Sequence, residues 1–395
     1  MQYNFDEVIQ RKGTGAFKYD ARKEIFGNEN AIPMWVADMD FRTPDFVIEA
    51  LKKRFDHEIF GYTKRADGFN SSLIQWVEKR HGWKIQPEWI SFSPGVVPAC
   101  SLSVLAFTNP GDKVIVQPPV YFPFFEIVRD NGRELVYNQL IEKDGRFTMD
   151  FDDLEQKASE GAKMLIISHP HNPGGSVWLK DELLRIGEIV EKYDMLIISD
   201  EIHSDLIFKP HKHIPLASLS KEIANRTITT IAPSKTFNMA GFSTAAVVFS
   251  NKAMKLKYEK ILATIHIGLG NIFGAIGFEA AYTHGEEWLE QLLEYLSGNI
   301  QFVAKFIREQ IPEIKVMIPE ATYMIWLDCR DLGMDTKELN RFMIHDAGVA
   351  MNDGAMFGPS GEGFLRMNVS CPRSVVEKAL NNMKSAISKT SLINL

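Results

Sequence analysis

From about residue 45 to 285, short apolar runs alternate with stretches of helical periodicity. Lys113-Val-Ile-Val-Gln117, Lys163-Met-Leu-Ile-Ile-Ser168, Met195-Leu-Ile-Ile-Ser199 and Arg226-Thr-Ile-Thr-Thr-Ile231 are continuous β-branched or leucine-rich runs. Strands read this way when both faces are covered, as in a parallel sheet lying between helices. Between the second and third runs, Leu179, Leu183, Ile186 and Val190 recur at spacings of four, three and four, which predicts an amphipathic crossover helix. After residue 285 the pattern changes. Glu286 to Gln310 reads as one long helix ended near Pro312, and strand-like Tyr323–Leu327 and Phe364–Val369 then alternate with helices near 336–346 and 373–388. The expected fold class is α/β. A large domain with a mainly parallel central sheet spans residues 46–285, and a smaller α+β domain spans 286–395. An irregular N-terminal segment, 1–45, packs with the smaller domain.

Composition narrows the function classes. The 395 residues, 45% apolar and 24% charged, suit a globular chain of roughly two to three domains. Lysine and arginine (44) against aspartate and glutamate (51) leave a net charge of −7, which supplies no general attraction to nucleic acid or an anionic membrane. Three well-separated cysteines, Cys100, Cys329 and Cys371, suit a reducing cytoplasm better than a disulfide framework. The first residues lack the basic and apolar regions of a signal peptide. The least polar long stretch, Ile265 to Tyr282, is interrupted by His266, Asn271, Glu279 and several glycines, so it does not read as a membrane span.

Ligands of open parallel sheets bind beyond the carboxyl ends of the strands, so the residues following each strand carry the most information. Ile198-Ser199 leads into Asp200-Glu-Ile-His203, and Ile167-Ser168 into His169-Pro-His-Asn172-Pro-Gly-Gly. Ile231 leads into Ala232-Pro-Ser234-Lys235-Thr, and Val116-Gln117 into Pro118-Pro-Val-Tyr121. Ile90-Ser-Phe-Ser93 leads into Pro94-Gly95-Val96-Val97, the opening of a helix. Taken singly, Asp200 is a helix cap, Asn172-Pro-Gly-Gly a turn, Tyr121 a core ring and Lys235 a solvated lysine. Together they match the needs of pyridoxal 5′-phosphate (PLP). That cofactor needs a lysine amine, a carboxylate at the ring nitrogen, a donor to the phenolic oxygen, an aromatic face and helix-terminal amides for its phosphate. An amino-acid substrate adds the need for an arginine clamp.

Asn172-Pro-Gly-Gly, Asp200-Glu-Ile-His, Ser234-Lys-Thr-Phe-Asn-Met-Ala-Gly241 and Phe364-Leu-Arg366-Met-Asn resemble the class I/II aminotransferase family of fold-type I PLP enzymes. More narrowly, Arg11-Lys-Gly-Thr-Gly15, Pro33-Met-Trp-Val-Ala-Asp-Met-Asp-Phe41, Gly61-Tyr62 and Gly363-Phe-Leu-Arg-Met-Asn-Val-Ser370 are similar to its MalY/PatB branch of C–S β-lyases. The resemblance implies that Lys235 forms the Schiff base, Asp200 pairs with the pyridine nitrogen, and Asn172 donates to the phenolic oxygen. It also implies that Tyr121 stacks on the ring, with Gly95, Val96, Val97 and Ser234 holding the phosphate and His203 among the cofactor contacts. Arg366, with Asn172 and Tyr121, would bind the substrate. Tyr62 would reach the phosphate of a neighbouring subunit, making a homodimer with shared active sites. Many relatives carry a serine three residues before the lysine and an arginine eight after it. Here Ala232 and Ser243 stand there, which shifts the phosphate grip to the remaining groups.

The implied reaction is α,β-elimination from cystathionine or cysteine-type amino acids, releasing a thiol, pyruvate and ammonia. Transamination on the same residues is the alternative, and a regulatory protein retaining PLP as a structural ligand is a third reading. The histidines at 169, 171, 203, 211 and 213 match no standard zinc spacing, so no metal is expected. Glycine-rich 354–363 lacks the ending of a nucleotide loop and reads as a connection leading Arg366 into the cleft.

Overall fold

The computed structural model describes residues 2–393, with side chains to residue 389. Its centre is a seven-stranded sheet made of β1 (Ile90–Ser93), β2 (Lys113–Val116), β3 (Glu134–Tyr137), β4 (Met164–Ser168), β5 (Leu196–Asp200), β6 (Thr227–Ile231) and β7 (Ala245–Val248). The spatial order is β1-β7-β6-β5-β4-β2-β3, and only β7 runs antiparallel to its neighbours. Strands β4 and β6 are buried at every position, as their uninterrupted apolar and threonine runs require. The crossover helix, Lys180–Lys192, turns Leu183, Ile186, Ile189 and Val190 inward. The register sets Ser168 opposite Asp200 and Asp200 opposite Thr230, so three successive strands end together along one edge.

A second sheet follows the 25-residue helix Glu286–Gln310. It contains β8 (Lys315–Met317), β9 (Met324–Asp328), β10 (Asn352–Asp353) and β11 (Phe364–Asn368), in the order β8-β9-β11-β10, all antiparallel. The last helix, Arg373–Ile393, packs on the long one. The helix expected near 336–346 divides into an α-helix, Thr336–Arg341, and a wider π turn, Phe342–Asp346.

The N-terminal segment is more ordered than its sequence implies. It forms two short helices, Phe17–Asp20 and Arg22–Phe26, and Ile32–Pro33 pairs in parallel with Val349–Ala350. Gly13, Gly15 and Gly27 adopt left-handed backbone angles and divide it into pieces too short for periodicity to register. The glycine-rich connection turns back on itself. A Cβ on Gly354 or Gly361 would lie about 2 Å from the backbone of the facing strand of the turn. Among the described residues, no helix is long and apolar enough to cross a membrane.

Candidate active site

The shared edge of the strands opens into a cavity of about 210 Å³. Asp200, Asn172, Tyr121, His203, Ser234 and Lys235 line it, together with Gly95, Val96 and Val97. Nine of the eleven residues singled out from the sequence therefore meet there. Tyr62 and Arg366 do not line it. Tyr62 is 99% exposed on the segment before helix Asp67–His81, and Arg366 is buried behind Asn172.

Gly95 stands where a helix N-terminus meets the cavity. Its φ of 143° is open only to glycine, and it turns the chain from β1 into helix Val96–Phe107, so the first helical amides have no intrahelical partner. The partial positive charge of that helix terminus favours an anion. Ser243 and Thr244, which the sequence reading did not propose as ligands, also line the cavity.

Lys235 sits in a tight turn closed by Phe237 N to Pro233 O (2.8 Å) and Met239 N to Ser234 O (3.0 Å). Its neighbour Thr236 donates to the buried Asp205 carboxylate (3.1 Å), which also accepts from Trp76 Nε1 (2.9 Å) and bonds His81 (3.2 Å). Burial alone would raise the Asp205 pKa, but the His81 hydrogen bond and charge hold it below the usual carboxylate range. An ionised carboxylate thus anchors the lysine turn from beneath. Sequence inspection had no signal for this, because Asp205 lies past the strand end among other polar residues.

The Lys235 amine donates to the Ala37 carbonyl at 2.7 Å. Desolvation, then repulsion from Arg366, lowers its pKa to about 8. Asp200 is buried and accepts from Ile202 N (3.1 Å). Desolvation raises its carboxyl to about 7, because the nearby cation Lys235 offsets only part of the cost. Burial, then the charges of Lys235 and Arg366, drives His203 down to about 3, so its imidazole is neutral.

Arg366 lies on β11, where it donates to Asn172 Oδ1 (3.0 Å), Asn352 Oδ1 (2.7 Å) and Trp35 O (3.1 Å), while its Nε has no partner. Accepting through Oδ1 fixes the Asn172 amide with its NH₂ group free to donate elsewhere. Every partner of Arg366 is neutral, and burial lowers the guanidinium to about 10. The N-terminal segment reaches the cavity through Ala37, which lines it.

Beyond Asp200, His169, Glu201 and His213 bring ligand-type atoms within 4.8 Å of one another. Each of these residues already bonds within the protein. His213 Nε2 meets Glu201 Oε2 (2.8 Å), His169 Nε2 meets Ile214 O (2.8 Å), and Glu201 Oε1 accepts from Ser199 (2.8 Å) and Leu216 N (3.2 Å). The cluster cross-links β4, β5 and the following loop, leaving only the two Nδ1 atoms unpartnered.

The chain is 44% identical over 386 residues to the cystathionine beta-lyase PatB of Bacillus subtilis, covering 98% of this chain and all of that protein. Cystalysin from Treponema denticola, whose crystal structure contains pyridoxal 5′-phosphate, superimposes with a TM-score of 0.96 at 37% identity, covering 99% of this chain and all of that one. A PLP-bound C–S lyase from Staphylococcus hominis gives 0.91 at 34% identity over 98% of each chain. The family model for aminotransferase class I and II matches residues 30–383, and the chain belongs to that family.

Proposed function

We propose that the chain is a PLP-dependent carbon–sulfur β-lyase, converting cystathionine or another cysteine-type amino acid into a thiol, pyruvate and ammonia. The observation that carries this reading is one cavity lined by lysine, carboxyl, amide and aromatic ring, in a chain similar along its length to a cystathionine beta-lyase. The electrostatics support the fit. Asp200 is a buried carboxyl lacking a full cationic partner, which a protonated ring nitrogen provides. Arg366 is a buried guanidinium surrounded by neutral acceptors, which a substrate carboxylate completes.

Lys235 would attach the cofactor, with Asp200 at the ring nitrogen, the Asn172 amide at the phenolic oxygen and Tyr121 on the ring face. His203, neutral, would complete the ring contacts. The amides following Gly95, with Ser234, would hold the phosphate. When bound, PLP supplies an electron sink for negative charge at the substrate α-carbon. Arg366 and Asn172 orient the substrate carboxylate, with Tyr121 beside them. Lys235, when free, would take the α-proton as a neutral base, a state that its lowered pKa of about 8 makes accessible near neutral pH. The thiolate then leaves from Cβ, and water converts the remaining three carbons to pyruvate and ammonia. Exposed Tyr62 supports a homodimer in which this side chain serves the neighbouring cavity. The three buried free thiols suit a reducing, cytoplasmic setting.

The test mixes PLP-loaded protein with L-cystathionine and no keto acid. Pyruvate and free thiol in equal amounts over many turnovers are expected. A single bleaching of the cofactor without pyruvate would overturn elimination in favour of transamination.

A further inference from the structure

Five consecutive carbonyls, from Trp35 to Met39, accept hydrogen bonds from side chains. Trp35 O accepts from Arg366 Nη2 (3.1 Å), and Val36 O from Asn368 Nδ2 (2.6 Å). Ala37 O accepts from Lys235 Nζ (2.7 Å) and the Tyr323 hydroxyl (3.1 Å). Asp38 O accepts from Asn368 Nδ2 (2.8 Å), Ser370 Oγ (3.3 Å) and Lys18 Nζ (3.3 Å). Met39 O accepts from Asn238 Nδ2 (3.0 Å) and Arg11 Nη1 (3.2 Å). Most backbone carbonyls are satisfied by other backbone groups. A run satisfied by side chains is therefore a segment whose position is dictated by those side chains. Its outer side is clamped as well, by Arg11 on Asp38 (2.7 and 3.1 Å) and on Asp40 (2.6 Å), and by Lys18 on Asp40 (2.9 Å).

We propose that the Ala37 carbonyl is the holding site for the Lys235 amine whenever that lysine is free, and that Tyr323 is the residue that positions it there. The inference rests on reading Lys235 as the proton-accepting amine. A carbonyl oxygen has two lone pairs. Tyr323, fully buried on the approach to β9, occupies one and leaves the other to Lys235. A neutral amine that gives one N–H to this oxygen keeps its own lone pair clear. In the proton transfer, the substrate α-C–H bond breaks and a third N–H bond forms on Lys235, with no change of oxidation state in the protein. Because Tyr323 takes part of the oxygen's acceptor capacity, the carbonyl stabilises a lysine cation less than it would alone. The other groups facing the amine are Arg366 on β11, Asp38 on the same strap and Asp200 at the end of β5. His203 and Tyr121, on the same cavity wall, are neutral, since burial lowers the first and raises the second.

The test is Tyr323→Phe in the full chain, which removes one hydroxyl and keeps the ring. In cofactor-free protein, the rate of PLP capture by Lys235, followed by absorbance, rises with pH as the amine deprotonates. The variant's capture profile is expected to move to higher pH by about half to one unit. In the loaded enzyme, the acid limb of kcat moves the same way and kcat falls about 3- to 10-fold near neutral pH, less than loss of an acid–base group costs. KM stays within about two-fold, since the arginine clamp is untouched. A capture profile that superimposes on the parent, or a loss of kcat with neither profile displaced, overturns the proposal. If Tyr323→Phe does not fold, Asn368→Ser, which removes the amide that bridges the carbonyls on both sides of Ala37, must displace the capture profile; a change in stability alone overturns it. A Lys235→Ala protein with normal turnover would instead refute the reading of the lysine itself.

Discussion

The cavity has two walls held by different forces. One is the row of strand ends carrying Asp200, Asn172 and the Lys235 turn, held by parallel ladders whose residues are buried on both faces. The other is the strap from Trp35 to Met39, whose carbonyls hang on side chains of Arg366, Asn368, Tyr323 and Lys235. A ladder distributes its hold over many bonds, so losing one side chain leaves the wall in place. The strap has no ladder: eight side chains hold its carbonyls, and two of them, Lys235 and Arg366, are groups assigned to the chemistry. The first wall is a scaffold on which reacting groups are mounted, whereas the second is positioned in part by the reacting groups themselves.

The severest break of this comparison is Lys235→Ala, which removes a group from both walls at once. Steady-state pyruvate production is expected to fall by more than the ~10²–10⁴ typical of a lost acid–base group, because the covalent attachment goes too. Next is Asp200→Ala, confined to the ladder wall. It should lower kcat by about 10²–10³ while circular dichroism and melting of the loaded enzyme stay near the parent's.

Asp200 also gives the scaffold wall a pH signature. In the cofactor-free protein its folded pKa, about 7, lies above the unfolded value near 4. Between those values the unfolded chain binds fewer protons, so stability falls as pH rises from about 4 to 7. Denaturant titration at pH 5 and pH 8 should show that loss in the parent and a smaller one in Asp200→Asn.

Asn368→Ala attacks the strap and the Ser370 turn that accompanies it. Leaving the Val36 carbonyl without its donor, and the Asp38 carbonyl with only Ser370 and Lys18, should cost about 1–3 kcal/mol in urea unfolding. The smallest effect belongs to Tyr62→Phe. On an exposed segment it should leave stability unchanged and weaken cofactor affinity by about ten-fold or less, measured by PLP titration of the purified protein. An unchanged affinity would overturn the proposal that Tyr62 serves a neighbouring subunit's site.

Legibility in the sequence followed the same division. Asp200, Asn172 and Lys235 could be found because each follows an apolar run, and runs of that kind end where open parallel sheets bind ligands. Ser243 and Thr244 carry no such signal, because the segment holding them precedes a strand instead of following one: β7 starts only at Ala245. The short N-terminal helices escaped notice because glycines cut them below the length at which a helical repeat shows. Arg366 could be named only through its motif, and its place behind Asn172 had no local signal.

By itself, then, the sequence determined five of the seven central strands, their burial on both faces and the candidate reacting groups at their carboxyl ends; it gave no sign of β3 and β7. All of these depend on neighbours in the chain or on the period of a strand. Tertiary structure alone decided which groups face one another across the cavity. Arg366 meets Asn172 over 194 residues, Lys235 meets Ala37 over 198 and Tyr323 meets Ala37 over 286. Contacts at such separations obey no period, and they exist only once both sheets and the N-terminal strap have packed around the same cavity.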